Sequence, residues 1–374
     1  MKRPMKNIGL ISIILFLTAS IVSGQSKQNN TPNSTIKLTS EKYGSDAEKL
    51  KAENILIYQK EIGGWDKSKK YNQTLSETEK ESIIQNKDKL GGTFDNGATI
   101  SELRFLAKIY AQTKDERFKK AFDNGLNFIF NAQYENGGWP QYYPALGAEV
   151  QFNRDKTAPY SGHITYNDNA MVNIMNFLKE IFSDNKEYIS LEISNETKIK
   201  AQKAFNKGVE CILKTQIFID GKPTVWCAQH DEITLAPANA RAYELASFSG
   251  SESVKIVSLL MSIDNPSNEI IAAVNGAVLW FENHKIEGIK IVRIVNEEGK
   301  RDRIVVEDKD APAVWGRFHD LETGKPIFCD RDGIKKNSLA EIGYERRNGY
   351  GWYTRSPKEL LEKYPEWKNS KIKN

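Results

Sequence analysis

Cysteine and histidine are scarce in this chain of 374 residues, which contains three of the former and four of the latter. Cys211, Cys227 and Cys329 allow at most one intrachain disulfide and match no metal-binding spacing, so we expect all three to be structural. The histidines show no paired spacing. The sequence also lacks HExxH, GxSxG, GxGxxG, CxxC and phosphate-loop motifs, which argues against metalloproteases, serine hydrolases and nucleotide-dependent enzymes.

A strong excess of either charge is also absent. The formal net charge is only +4, with 27% charged and 39% hydrophobic residues. This balance does not indicate a nucleic-acid partner, although a basic cleft in a near-neutral protein still attracts anions. The hydrophobic content is sufficient to bury the core of one large or two small domains.

Long apolar runs are missing except at the N-terminus. There, Lys2, Arg3 and Lys6 precede the run IGLISIILFLTASIVSG, and small residues follow near position 24. This pattern predicts a signal peptide at 1–24, with an uncleaved membrane anchor as the alternative. A polar linker at 25–45 and one folded domain at 46–374 are expected to follow. We therefore expect a secreted or periplasmic monomer that does not contact the membrane after cleavage.

Helical periodicity dominates the rest of the chain. Apolar residues recur at steps of three and four in six segments, which begin near residues 98, 115, 169, 198, 252 and 268. An alternating pattern favours strands only near residues 286–330, where a hairpin is predicted to turn at Glu297-Glu298-Gly299. The chain is thus expected to be mainly α, with a small β-rich segment.

Two markers recur with the helix pairs. GGW occurs at Trp65 and again at Trp139, and an Asp-Asn step occurs at Asp95 and again at Asp168. Repeats of two helices suggest helical hairpins around an axis, an α/α toroid, with equivalent loops on one rim. The GGW loops are either tight packing turns or, as we favour, a sugar-binding rim to which Tyr142 and Tyr143 contribute aromatic surface.

The two Asp-Asn steps precede predicted helices, so each is a candidate helix cap. Their shared position in the repeat also makes them candidates for a site. Asp168 lies in the run Asn-Asp-Asn, whose side-chain oxygens suit a hard cation such as calcium, with substrate or water as further ligands. No EF-hand loop is present.

Three arginines are candidate ligands for carboxylates. Arg241 lies early in an apparently helical segment, ANARAYELAS, where the helix dipole does not favour it. Arg317 and Arg331 lie in β-like stretches joined by the turn DLETGKP, which would direct both guanidinium groups to one place. Each also has an ordinary interpretation as a surface residue. If they do bind substrate, the substrate is a polyanion with carboxylates.

The sequence resembles the pectate lyases of polysaccharide lyase family 10. The resemblance extends from about Glu61 to Tyr353, through six segments in order: GGW, TFDNGAT, NAQYENGGWPQYYP, HITYNDNAM, ANARAYELAS and WGRFHDLETGKPIFCDRDG. It implies an incomplete α/α toroid that cleaves α-1,4-linked polygalacturonate by calcium-dependent anti-β-elimination, giving 4,5-unsaturated products.

The resemblance also implies roles for individual residues. Asp168 would be the main calcium ligand, and Arg241 the base that removes the C5 proton. Arg317 and Arg331 would bind uronate carboxylates. Asp95 and Asn96 would lie at the substrate cleft, and Asp95 is also a candidate second metal ligand.

An arginine base needs a lowered pKa, because arginine normally stays protonated.

Two other functions are consistent with parts of the sequence. One is an inverting glycoside hydrolase that uses Asp95 and Asp168 as acid and base. The other is a non-catalytic uronate-binding protein.

Overall fold

The computed structural model describes residues 44–89, 91–147 and 159–372. The predicted signal peptide and nearly all of the predicted linker lie outside the described residues. Within them, no helix combines the length and the apolar character that crossing a membrane requires.

Helices form most of the described structure, and the strands are short. The helices are α1 Asp46–Tyr58, α2 Glu77–Ile84, α3 Ile100–Thr113, α4 Glu116–Ala132, α5 Ala170–Phe182, α6 Asn195–Thr215, α7 Glu252–Met261, α8 Asn268–Asn283, α9 Tyr344–Gly349 and α10 Pro357–Ile372. The strands are β1 Gly92–Thr93, β2 Tyr142–Tyr143, β3 Ile164–Thr165, β4 Phe218–Ile219, β5 Lys222–Pro223, β6 Gln229–His230, β7 Phe248–Ser249, β8 Ile289–Val295, β9 Arg301–Glu307, β10 Trp315–Gly316, β11 Phe318–His319, β12 Phe328–Cys329, β13 Lys335–Lys336 and β14 Tyr353–Thr354.

The mainly helical prediction is confirmed. The six periodic segments form α3 to α8, and the β8–β9 hairpin turns through Asn296–Lys300, where the Asn296 N–H donates to Lys300 O. All three cysteines are buried and free. One helix prediction is wrong, because Arg241 lies in a turn that the Glu244 N–H closes by donating to Arg241 O, at 2.7 Å.

The helices from α3 to α8 form three consecutive pairs. Each pair packs internally, and α3, α5 and α7, the first helices of the pairs, also contact one another in sequence. Their apolar stripes meet in one large core, because each stripe must be buried against another element. A smaller core surrounds Phe318, Phe328 and Trp352 in the C-terminal part.

A tryptophan fastens the loop that follows helix α1. An equivalent tryptophan fastens the loop that follows the second helix of each pair. The indole nitrogens of Trp65, Trp139, Trp226 and Trp315 donate hydrogen bonds of 2.7–2.9 Å to carbonyls of α1, α4, α6 and α8. The first three of these side chains are 0% exposed, and Tyr142 is 3% exposed. The proposed sugar-binding rim is therefore wrong at Trp65, Trp139 and Tyr142. These aromatic groups are part of the core.

The paired glycines of GGW serve the same packing. Gly63 and Gly137 have positive φ angles of 98° and 93°, and a Cβ atom on either would come within 2.3 Å of a carbonyl oxygen in the facing helix. Glycine alone permits this backbone conformation and this approach together.

Replacing Gly137 by alanine is expected to destabilise the protein by about 2–5 kcal/mol. The new methyl group would lie 2.0 Å from Lys207 O in α6, and the positive φ angle adds strain. Urea unfolding followed by circular dichroism measures this loss.

The matched control is Gly221→Ala. Gly221 also has a positive φ angle, of 71°, but no atom lies within 4 Å of its added Cβ. It should cost only about 1 kcal/mol. Equal losses for the two variants would show that contact with α6 contributes nothing.

A glutamine directly follows each of the helices α1, α4 and α6 and connects that helix to the next helix pair. The Nε2 groups of Gln59, Gln133 and Gln216 each donate two hydrogen bonds of 2.7–3.0 Å. One bond goes to the glutamine's own loop, and the other goes to a carbonyl of α4, α6 or α8 in the following unit. We call these three side chains the glutamine clamps.

Short antiparallel strand pairs connect the loops on one side of the helices. The pairs are β1–β2, β3–β6 and β7–β11. Each strand pair joins two segments. One lies before the first helix of a helix pair, and the other lies after the tryptophan that follows the same helix pair. This arrangement brings residues that are far apart in sequence to one edge of the molecule.

Candidate functional site

Two tight turns lie at this edge and contact each other. Turn 1 is Asp95–Gly97 and turn 2 is Asn167–Asn169, and they immediately precede α3 and α5. The N–H groups of Thr93 and Thr165 donate to the carbonyls of Trp65 and Trp139, which fixes both turns in the same position within their units.

The Asp-Asn steps are offset by one residue between these turns. Positive φ angles occur at Asn96 and Gly97 in turn 1 but at Asp168 and Asn169 in turn 2. Asp95 therefore corresponds to Asn167, and Asn96 corresponds to Asp168. The two aspartates occupy different positions, so the equivalence expected from the sequence is wrong.

Neither aspartate caps its helix. The N-cap residues are Thr99 for α3 and Asn169 for α5, and neither makes a side-chain cap hydrogen bond. A strained, left-handed conformation at Asp168 is uncommon for residues other than glycine and marks a candidate functional position. Helix capping thus does not explain the Asp-Asn steps.

A cavity of about 270 Å³ opens over both turns. We call it the turn cavity. It is lined by Lys67, Asp95, Asn96, Gln141, Tyr160, Asn167, Asp168, Gln229, Arg241 and Glu244. The structure therefore brings together four of the six predicted site residues, namely Asp95, Asn96, Asp168 and Arg241.

Asp95 is buried in the wall of the turn cavity and forms an ion pair with Lys67. Its backbone N–H donates to the Thr93 hydroxyl at 3.1 Å. The carboxylate is thus already bound to an ammonium group, which reduces its availability as a metal ligand.

Asp168 is more open, with 36% of its side chain exposed. Burial raises the pKa of this carboxyl, the nearby charge of Asp95 raises it further, and the charge of Arg317 opposes both effects. The surroundings therefore favour the protonated form of Asp168, and a nearby cation would offset this effect by stabilising the charged carboxylate. Among the acids of the turn cavity, Asp168 is the best placed to bind a cation.

Arg317 lies behind turn 2. Its Nη2 group donates to Asn167 Oδ1 at 3.0 Å and to Glu252 Oε1 at 2.5 Å, and it lies 3.9 Å from Asp168 Oδ1. Glu252 is almost fully buried and also accepts a hydrogen bond from the Ser249 hydroxyl. Arg317 therefore orients turn 2 and lies beside Asp168.

Arg241 is held in the opposite wall by Glu244. Its Nε donates to Glu244 Oε2 at 2.8 Å and its Nη2 donates to Glu244 Oε1. Tyr350 donates its hydroxyl to the same carboxylate at 2.6 Å. Burial alone lowers the pKa of Arg241, but the hydrogen bonds and charge of Glu244 outweigh it, so the net pKa is raised.

The raised pKa is opposite to what a base at Arg241 requires. The pair with Glu244 favours the protonated form instead. The role of Arg241 as the base stays a prediction.

Arg331 lies outside the turn cavity. Its guanidinium group is exposed and donates to Glu345 at 3.1 Å from both Nε and Nη2. The Arg331 Cζ atom lies 5.6 Å from the centre of the Tyr243 ring, and Arg241 Cζ lies 5.0 Å from it. Arg331 and Arg317 thus pair with different carboxylates, those of Glu345 and Glu252, and Arg331 lies near the segment that carries Arg241.

Sequence reasoning missed several residues of the site. These are Lys67, Gln141, Asn167, Gln229, Glu244 and Glu252. Lys67 follows the first GGW motif by two residues, and Arg317 follows Trp315 by two, so the spacing from the repeated tryptophan was a usable signal. Glu244 lies three residues after Arg241, a spacing that was interpreted as helical.

Comparison with known families identifies the family of the chain. The profile of the pectic acid lyases matches residues 59–361. The chain belongs to the pectic acid lyase family. It is therefore a pectate lyase, and the match includes all six predicted site residues.

Solved structures of related enzymes also resemble this pectate lyase. A family 10 polysaccharide lyase from Cellvibrio cellulosa has 31% sequence identity and a TM-score of 0.72, and the alignment covers 88% of this chain and 95% of that chain. A mutant of that enzyme in complex with trigalacturonic acid gives the same values. No curated protein matches the chain significantly.

Proposed function

We propose that this pectate lyase cleaves α-1,4-linked polygalacturonate by calcium-dependent anti-β-elimination. The observation that carries the proposal is the turn cavity, where Asp168 and Arg241 line the same space. The Cellvibrio relative binds trigalacturonic acid, and family membership argues against the hydrolase and the non-catalytic alternatives.

The charges of the turn cavity favour a divalent cation. Three carboxylates, of Asp95, Asp168 and Glu244, outnumber the two cationic groups of Lys67 and Arg241. Such a cavity does not attract a polyanion unless a bound cation reverses the local charge. Calcium is therefore required for substrate binding as well as for chemistry in this proposal.

The donor set fits calcium. Asp168 provides an accessible carboxylate. The Oε1 atoms of Gln141 and Gln229 are buried and have no hydrogen-bond partner within the described part of the chain. Calcium prefers such oxygen ligands and accepts water or substrate oxygens at its remaining positions. In our proposal Asp168 is the main protein ligand, because Lys67 already binds Asp95.

Bound calcium would withdraw charge from the uronate carboxylate and so acidify the C5 proton. Arg241 in its neutral form accepts that proton. The C5–H electron pair forms the C4–C5 double bond, and the C4–O bond breaks towards the leaving sugar, whose oxygen is protonated by water. Arg317 fixes Asn167 and the position of turn 2. Arg331 remains a proposed ligand for a more distant uronate carboxylate.

The arrangement of the helix pairs supports an incomplete α/α toroid, because three pairs, each followed by an equivalent tryptophan, succeed one another. We also propose that the enzyme is exported as a monomer, with residues 1–24 as the signal peptide. Extracellular polygalacturonate is too large to enter a cell, which is consistent with export.

The proposal predicts a rise in ultraviolet absorbance from unsaturated products when the enzyme is mixed with polygalacturonate and calcium. EDTA should abolish the rise. Asp168→Asn should reduce the rate by about 100-fold and weaken the calcium dependence, because it removes the accessible anionic ligand.

Asp264→Asn is the matched control, since Asp264 belongs to another Asp-Asn step but is exposed and remote from the turn cavity. Its rate and calcium dependence should equal those of the wild type. New reducing ends without absorbance would indicate hydrolysis. An unchanged calcium dependence in Asp168→Asn would rule out the assigned ligand.

A further inference from the structure

A second cluster of ligand-type side chains lies beside the turn cavity. It consists of His163, Asp231 and Glu232, which are all half-buried, and one ligand atom of each lies within 4.8 Å of the others. His163 Nδ1 is 2.8 Å from Glu232 Oε2. None of the three residues lines the turn cavity.

The main chain around this cluster is well fixed. The His163 N–H donates to Tyr160 O at 3.0 Å, and the Asn136 side chain donates to Glu232 O at 2.7 Å. Asp231 Oδ1 accepts the N–H groups of Ile233 and Thr234. The cluster therefore has a preformed geometry, and Asp231 Oδ2 is not used by these contacts.

An internal repeat allows Asp231 to be compared with an aspartate in an equivalent loop. The loop HDEITLAP, which starts at His230, has a counterpart, HDLETGKP, which starts at His319. In both loops the histidine Nδ1 lies 2.9 Å from a carbonyl oxygen five residues later. The aspartate Oδ1 in both accepts N–H groups two and three residues ahead.

The two loops differ at the second oxygen of the aspartate. Asp320 Oδ2 accepts a hydrogen bond of 2.6 Å from the ammonium group of Lys335. Asp231 forms no ion pair with a lysine or arginine among the described residues, and neither does Glu232. The aspartate of one loop is thus paired with a lysine from a later segment, whereas the other loop presents two carboxylates beside the imidazole of His163.

We propose that His163, Asp231 and Glu232 bind a divalent transition-metal ion, with Zn²⁺ as the preferred ion. An imidazole nitrogen with two carboxylate oxygens is a ligand set that zinc accepts, whereas calcium prefers oxygen ligands only. Zinc ligands lie about 2.0–2.2 Å from the ion, so side-chain rotations of about 1 Å complete the site, with water as a fourth ligand.

Binding here would connect two segments that line the turn cavity. His163 follows Tyr160 by three residues, and Asp231 follows Gln229 by two. The ion would therefore stabilise this wall of the cavity without touching the substrate. The role is structural and does not depend on the proposed reaction.

The test is isothermal titration calorimetry, in which Zn²⁺ is added to the full chain without a histidine tag. Calcium at about 1 mM is present to occupy hard-cation sites. One equivalent should bind, and the melting temperature should rise. Because loss of outer partners alone weakens metal sites by about 10- to 100-fold, His163→Ala and Glu232→Gln should each weaken zinc binding by about 100-fold or more.

Glu322→Gln is the matched control, because it removes a carboxylate from the counterpart loop, and it should bind zinc like the wild type. Asp168→Asn should also retain zinc binding, which separates this site from the proposed calcium site. Melting in EDTA verifies that the variants fold. Absence of saturable zinc binding, or equal binding by His163→Ala and Glu232→Gln, would overturn the proposal.

Discussion

Replacing Arg241 by alanine is expected to lower kcat by about 10²- to 10⁴-fold, the usual contribution of a general base. Arg241 lines the turn cavity near Asp168, and Glu244 holds its Nε and Nη2 groups in a fixed direction. The variant removes the proposed proton acceptor but leaves the proposed calcium ligand in place. Absorbance at saturating calcium and substrate measures the loss.

The pH dependence follows from the same pair. Glu244 raises the pKa of Arg241 and favours its protonated form. Because the proposed reaction needs the neutral form, the wild-type rate should rise with pH throughout the alkaline range. A residual rate in Arg241→Ala should lack this rise.

Arg117→Ala is the control for a general effect of removing an arginine. Arg117 is exposed, pairs with Asp115 and Glu53, and does not line the turn cavity. Its kcat should change little. Full activity in Arg241→Ala would exclude Arg241 as the base, and the assignment would then have to move to another group of the cavity.

Replacing Arg317 by methionine is expected to destabilise the protein by about 3–5 kcal/mol, since it leaves a buried charge without its partner. Glu252 is 4% exposed, and its Oε1 atom accepts from Arg317 at 2.5 Å. The rate should also fall by about 100-fold, because Asn167 in turn 2 loses its contact with Arg317 and Asp168 loses a neighbouring cation. Urea unfolding and the absorbance assay measure the two effects.

The double variant Arg317→Met/Glu252→Gln separates these effects. A neutral amide at position 252 retains a hydrogen-bonding partner for Ser249 without leaving a buried charge. Most of the lost stability should return, while the rate should stay low. If the double variant recovers the full rate, Arg317 acts only on stability.

The helices of the three pairs were predictable because their apolar stripes are continuous. In α4, for example, Phe118, Phe122 and Ile129 are all buried, as their spacing indicates. Helix α1 buries only Ala52, Asn54 and Ile55, so its stripe is weak. Helix α10 contains Pro365, which normally argues against a helix interior. Local periodicity therefore failed where the helix depends on tertiary contacts.

The site was predictable in its residue types but not in its pairing. Asp95 and Asp168 looked equivalent because an Asp-Asn step is the same two letters in both turns. Only the φ angles reveal the offset by one residue. The ion pair of Asp95 with Lys67 and that of Arg241 with Glu244 decide which groups are available, and such pairings depend on contacts that sequence spacing alone does not determine.

For the tryptophans as well, the sequence alone does not decide between two structural roles. A tryptophan beside two glycines is typical of a sugar-binding loop and also of a packing turn. The choice depends on whether the indole nitrogen has a buried acceptor, and for Trp139 that acceptor is the carbonyl of Ile129, ten residues earlier.

The glutamine clamps have a consequence for cooperativity. Gln133 joins its own loop to α6, and Gln216 joins its own loop to α8. A unit that opens must therefore release two buried amide donors and also expose carbonyls in its neighbour. In a linear array, such nearest-neighbour coupling suppresses partially open forms. The three helix pairs should therefore exchange their amide protons with solvent as one block. The edge that carries turns 1 and 2 is then as rigid as the whole array.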